Sequence, residues 1–259
     1  PLPSSLISGT PPLPLTLMHL LTAELPFKQG YGSPDTVDEA REVAGHILTT
    51  AVQWARRVCC VLADGTQGDM LSLVRAAWPA LFLIQLVASG NPTLLSKLQS
   101  PSRSEEGTDS EDATSTPPLG EEEEDGLVVQ AQLDRLLACS LDAVELVALK
   151  ALVLFNPDAP GLTEAAKVEA VRDRVRCALN EYYRGRKDDQ SRSGRLLLRI
   201  PSLRTHVAPS TLEKLLFPES PCTSLDTLLS SLLSPLPPPL PPPPSLLLPF
   251  FPSSSSSSS

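Results

Sequence analysis

From residue 35 onward, apolar positions fall at steps of three and four. Val37, Ala40, Ala44, Ile47, Ala51, Trp54 and Val58 recur in this way, with Asp38, Glu39, Arg41 and Gln53 between them. That spacing lays one buried stripe along a helix. Asp35 is placed to cap its start, Asp38 and Glu39 stand in the first turn, and Arg56 and Arg57 stand in the last, the charge order that the helix dipole favours. Gly68 to Ala88 is apolar nearly all round, broken by Asp69, Arg75 and Gln85, which predicts a central helix. Pro79 lies inside it, lacks a backbone donor, and predicts a kink or a restart. Helical periodicity returns at Leu127 to Leu137, Leu141 to Phe155, Thr163 to Tyr183, Gly194 to Arg204, Leu212 to Phe217 and Ser224 to Leu233. No strand-like alternation matches it in strength, so an all-α fold is expected.

The segments outside this pattern divide the chain. Residues 1–34 are rich in Pro, Ser, Gly and Leu and read as a flexible arm, with Leu15 to Leu21 long enough for two helical turns. Residues 99–126 carry Ser, Thr, Gly and the acidic run Glu121 to Asp125, too little apolar surface to offset ordering, and read as a disordered insertion. Residues 235–259 are a proline-rich stretch and a serine tract, which favour polyproline II. Most of the 28 prolines sit near the two ends, so the expected folded domain is residues 35–234.

Charge and chemistry narrow the function. Lys plus Arg number 21 against 30 Asp plus Glu, a net charge of −9, the wrong sign for neutralising phosphates, so this segment is not expected to hold DNA. Cys59, Cys60, Cys139, Cys177 and Cys222 are an odd set without paired metal-ligand spacing. A reducing compartment fits them, and the apolar runs are short of a membrane span. His19, His46 and His206 are scattered, and neither a nucleophile elbow nor a phosphate-cradling glycine loop occurs. An enzyme is not expected. Ser102, Ser104, Thr108 and Ser110 adjoin acidic residues and are candidate phosphorylation positions.

Three stretches carry a resemblance. Trp54-Ala55-Arg56, followed by Asp69, Leu73, Val74, Arg75 and Trp78, resembles the signature that joins the third helix of nuclear receptor ligand-binding domains to the fourth and fifth. Met70 stands where a glutamine is usual. The run from Leu149 to Leu162 (LKALVLFNPDAPGL) closely resembles the eighth-to-ninth helix junction of the COUP transcription factor group of orphan receptors, and Arg192 to Arg204 is similar to their tenth helix. The resemblance implies a three-layer helical sandwich and a nuclear transcription regulator that forms homodimers or heterodimers with another receptor. It also implies that DNA is held by an upstream domain that this chain lacks, and that co-regulator helices of the L-x-x-L-L or corepressor kind are the partners.

The resemblance also implies sites. Val52, Leu71 and Val74 would line a groove for a co-regulator helix, Arg56 would meet the carboxyl end of that helix, and Met70 and Arg75 would flank it. The closing, or activation, helix would hold Leu225, Leu228, Leu229, Ser231, Leu232 and Leu233. Ser231 occupies the position of the family's acidic clamp, so repression is the better expectation. Leu225-Asp226-Thr227-Leu228-Leu229 is itself an L-x-x-L-L, as are runs beginning at Leu17, Leu133 and Leu212, and it is a candidate to occupy its own groove. Val43, Ala44, Ile47, Phe82 and Leu86 would border a ligand pocket. All are apolar, so no polar anchor for a ligand is evident; no cofactor is expected, and a small lipophilic ligand is possible but not indicated. Arg195, Leu197, Leu198, Arg199 and Leu203 would form the dimer surface. A rival reading is a helical adaptor whose proline tail recruits SH3 or WW modules; a receptor fragment that sequesters dimer partners is a third.

Overall fold

A computed structural model describes residues 13–24, 34–63, 67–99, 121–184, 191–218 and 225–234. Among these residues there is no strand. In chain order the helices are α1 (Leu15–Thr22), α2 (Val37–Leu62), a 3-10 turn (Gln67–Asp69), α3 (Met70–Ser89), α4 (Leu94–Gln99), α5 (Glu121–Ala138), α6 (Ala143–Leu154), α7 (Ala165–Arg184), α8 (Ser191–Leu197), α9 (Arg199–Thr205), α10 (Pro209–Leu216) and α11 (Leu225–Leu233). They form an all-helical sandwich with α3 in its middle layer, packed against α2 and α6 and also meeting α5, α9 and α11.

The interior position of α3 follows from its composition. Trp78, Leu81, Phe82, Leu83, Ile84 and Leu86 are all buried, as a helix apolar on every side requires. Contrary to the expectation that the apolar runs are short of a membrane span, α3 is long and apolar enough to cross one, and the burial of 72% of that span within the protein accounts for the hydrophobicity instead. The helix runs through Pro79 without the expected restart. It ends at Gly90, whose φ of 74° is the left-handed conformation that glycine adopts without strain.

α2 begins one residue later than its sequence suggests. Thr36, not Asp35, is the cap: its side chain accepts from the Glu39 amide at 3.2 Å, and the Glu39 carboxylate reaches back to the Thr36 amide. That reciprocal pair satisfies two donors that a helix start otherwise leaves open. Asp142 and Glu145 repeat the device at α6.

Several expectations need correction. The segment 1–34 is not wholly a flexible arm, because α1 lies within it and buries Leu17 and Leu20 completely. The Trp54 indole donates to the Leu20 carbonyl at 3.3 Å, and the Glu24 carboxylate pairs with the fully buried Lys150 ammonium. Lys150 also donates to Gln85 at 3.0 Å and stands 4.5 Å above the Trp54 ring. Burial lowers the Lys150 pKa and the Glu24 charge opposes that shift. The expected insertion at 99–126 gives way to helix from Glu121, where Asp125 accepts from the Thr211 hydroxyl at 3.0 Å. α4 has no counterpart in the sequence reading. The expected helix from Gly194 to Arg204 is two helices broken at Leu198. Pro201 explains the break, since it can neither donate to the Leu197 carbonyl nor avoid crowding it. The proline and serine tail, 235–259, lies outside the described residues.

Candidate functional site

α2 and α3 lie side by side, and α11 packs on both. The expected groove residues sit on these two helices. Val52 and Val74 are fully buried, Met70 nearly so, and Leu71 packs against the core while partly exposed. Arg56 is half-buried and Arg75 is exposed.

The apolar face of α11 turns inward. Leu225 and Leu229 are buried, Leu228, Leu232 and Leu233 pack partly against the core, and Ser231 is exposed. This helix is amphipathic because its leucines recur at i, i+3, i+4, i+7 and i+8. Its amino-terminal end is tied to α3 by Arg75 Nε on Asp226 Oδ1 at 2.8 Å. Both side chains are about half exposed, so the pair sets position more than stability; exposed pairs contribute roughly 0–1 kcal/mol.

The carboxyl end of α11 borders a cleft of about 920 Å³. His19, Thr22 and Ala23 line it from α1 and the residue after it, Gln53, Arg56, Arg57, Cys60 and Val61 from α2, and Ser231, Leu232 and Ser234 from α11 and the residue after it. The structure therefore brings together Arg56 and Ser231, the two expected clamp positions. The sequence reading missed Arg57, Gln53, Cys60, Val61 and Ser234. The steps from Gln53 to Arg56, Arg57, Cys60 and Val61 are helical, so a second stripe beside the apolar one was the available signal.

Asp69 fixes the start of α3 next to this site. Buried at the end of the 3-10 turn, its carboxylate accepts from the Thr163 amide, the Thr163 hydroxyl and the Glu164 amide, each at 2.8 Å. Those amides precede α7, so Asp69 caps another helix from a distance. The Thr163 amide above all holds this carboxyl below its usual range, burial opposes the effect, and the other two donors and Lys167 add to it.

The expected pocket residues Val43, Ala44, Ile47, Phe82 and Leu86 are all buried, and none lines the cleft. Along the expected dimer surface Leu198 is 73% exposed and Arg195 is exposed, Leu197 and Arg199 are half-buried, and Leu203 is core. Leu203 is thus removed from that surface, because the α8–α9 break re-aims the second half of the segment. The Cys59 thiol is pushed up to about 12 by burial, with Cys60 adding to it, which makes Cys59 an inert packing group.

Comparisons with known proteins agree with this architecture. A family model for the ligand-binding domain of nuclear hormone receptor matches residues 34–212. Nuclear receptor subfamily 2 group F member 5 of Danio rerio is 32% identical over 187 residues, a match spanning 70% of this chain and 43% of that protein. Group F member 6 of Rattus norvegicus is 31% identical over 218 residues, spanning 80% and 53%. The chain spans about half the length of these curated relatives. The ultraspiracle ligand binding domain from Drosophila melanogaster superimposes with a TM-score of 0.58 at 23% identity, over 86% of this chain and 99% of that one, a likeness of fold. The chain belongs to the nuclear hormone receptor ligand-binding domain family, and these curated relatives are members of nuclear receptor subfamily 2 group F.

Proposed function

We propose that this domain is a nuclear, repressive transcription regulator whose last helix occupies its own co-regulator groove. One observation carries the reading: α11 lies across α2 and α3 with the first and last leucines of its L-x-x-L-L, Leu225 and Leu229, buried. Its amino-terminal end is tied at Arg75, and its carboxyl end shares a cleft with Arg56. A bound co-regulator helix needs the same arrangement, apolar anchors inward and a cation near the carboxyl end of its dipole. Ser231 supplies no negative charge for a clamp, which favours repression. No small ligand is required, since Val43, Ala44, Ile47, Phe82 and Leu86 already serve as core.

Fluorescence anisotropy with coactivator and corepressor helices tests this reading on the full chain. We expect weak binding by the wild type. In Leu225→Ala/Leu229→Ala, α11 loses its anchors and the affinity for at least one class of helix rises more than tenfold, as expected for lost burial of roughly 2 kcal/mol per leucine. Adding Arg56→Ala reverses part of the gain. Equal affinity with and without the leucines would refute self-occupation.

The domain also works as a dimer through the α8–α9 face. Support comes from Leu198, a large apolar side chain 73% exposed beside exposed Arg195, since an apolar centre with an arginine rim fits an interface. Leu198→Asp is expected to shift the sedimenting species from dimer to monomer with helicity unchanged. A dimer that persists would place the interface elsewhere.

A further inference from the structure

We propose that Ser234 is a phosphorylation site whose phosphate is read within the same chain by Arg56 and Arg57, fastening α11 over its groove; this rests on the reading that α11 covers that groove. Ser234 follows α11 directly and is exposed. Pro235 comes next, which makes the dipeptide that proline-directed protein kinases act on. A residue before proline is biased away from helical geometry, so the Ser234 hydroxyl stands where the chain leaves the helix. Ser230 and Ser231, by contrast, are held in helical turns.

The groups that would donate to the phosphate are already in place. Ser234 lines the cleft together with Arg56, Arg57 and His19, and among the described residues no carboxylate lines it. Among the described residues, neither arginine has a carboxylate within ion-pair distance. A phosphoserine adds about −1.5 to −2 charge and three strong acceptor oxygens, and guanidinium forks bind phosphate in bidentate fashion. The α11 dipole disfavours an anion at this end, but it amounts to about half a charge against two whole guanidinium charges. The proline tail is the poorer occupant for this cleft: residues 235–259 contain no charged side chain that would explain paired arginines, and polyproline ligands want aromatic-lined grooves, whereas among the described residues no Phe, Tyr or Trp lines this one.

In the transfer, Ser234 Oγ bonds to the γ-phosphorus of ATP as the bond from that phosphorus to the bridging oxygen breaks, ADP leaves, and the hydroxyl proton passes to the base of the kinase. The hydroxyl gives up its 2.8 Å bond to the Ser230 carbonyl. The Ser234 amide, 3.0 Å from the same oxygen, retains its own bond, so α11 keeps its end.

The test treats the full chain with a proline-directed kinase and ATP, locates the phosphate by mass spectrometry, and follows amide hydrogen exchange across residues 225–233. We expect phosphate on Ser234 and roughly tenfold slower exchange in α11. The phosphorylated Arg56→Gln/Arg57→Gln variant, with its helicity checked by circular dichroism, should show no such slowing. An unmodified Ser234, unchanged exchange, or equal slowing in the arginine-less variant would each overturn the proposal. Exchange reports α11 without any co-regulator helix. Slower exchange with unchanged peptide affinity would therefore refute groove occupation while leaving the phosphate site standing.

Discussion

Arg192→Ala is expected to lower stability by about 3 kcal/mol, toward the low end of the cost of leaving one member of a buried ion pair alone. Glu145 is buried in α6, and Arg192 approaches it from α8 with Nε to Oε1 at 2.5 Å and Nη2 to Oε2 at 2.8 Å. The same guanidinium donates to the Cys139 and Ser140 carbonyls, and the Tyr183 hydroxyl donates to Glu145 at 2.6 Å. The Arg192–Glu145 pair thus ties α6 and the turn before it to α7 and α8. For a domain of this size the loss corresponds to roughly 6–12 °C in Tm, read by circular dichroism.

The pH dependence of that loss has a definite sign. In the wild type, burial pushes the Glu145 carboxyl up, but the Arg192 and Tyr183 hydrogen bonds and the Asp142 amide together hold it below its usual value. A depressed carboxyl contributes stability that is present above its unfolded pKa and is lost as pH falls through the folded one. In Arg192→Ala burial meets weaker opposition and the folded pKa rises. The variant's deficit is therefore largest at neutral pH and shrinks on acidification, as Glu145 takes up a proton. A gap between wild type and variant that stays constant from neutral to mildly acid pH would show that Arg192 acts through packing rather than charge.

Asp69→Asn should cost about 2–3 kcal/mol, in line with hydrogen bonds to a charged acceptor. An amide can keep the two Thr163 bonds through its oxygen, but its NH2 group then faces the Glu164 N–H, two donors in contact. Asp69 also sits below its usual pKa, chiefly through the Thr163 amide. Its contribution is complete above the unfolded pKa of about 4 and fades as pH falls below that value. The asparagine variant should accordingly unfold at lower temperature near neutrality and show a flatter acid limb. Because Asp69 directly precedes Met70 and α3, co-regulator binding in the opened α11 variant should weaken alongside. Unchanged Tm would mean that Thr163 and Glu164 find water in place of Asp69.

Local chemistry determined much of this protein. The stripe from Val37 to Val58, the all-round apolarity of α3 and the leucines of α11 each contain their own signal, because helical periodicity and capping are properties of neighbouring residues. The family signature was legible for the same reason: its residues are bunched at helix junctions. The rest depended on partners far apart in the chain. Leu17 and Leu20 look like an arm until Trp54 and Lys150 supply the surface and the counter-charge that hold α1 down. Asp226 meets Arg75 across 151 residues, and Asp69 meets Thr163 across 94. Arg57 and Ser234 face one cleft only once α11 lies on α2. Burial and ion pairing are relations between distant segments, so the sequence alone determined most of the long helices, while the tertiary structure decided the short ones and which helix faces remain free to act.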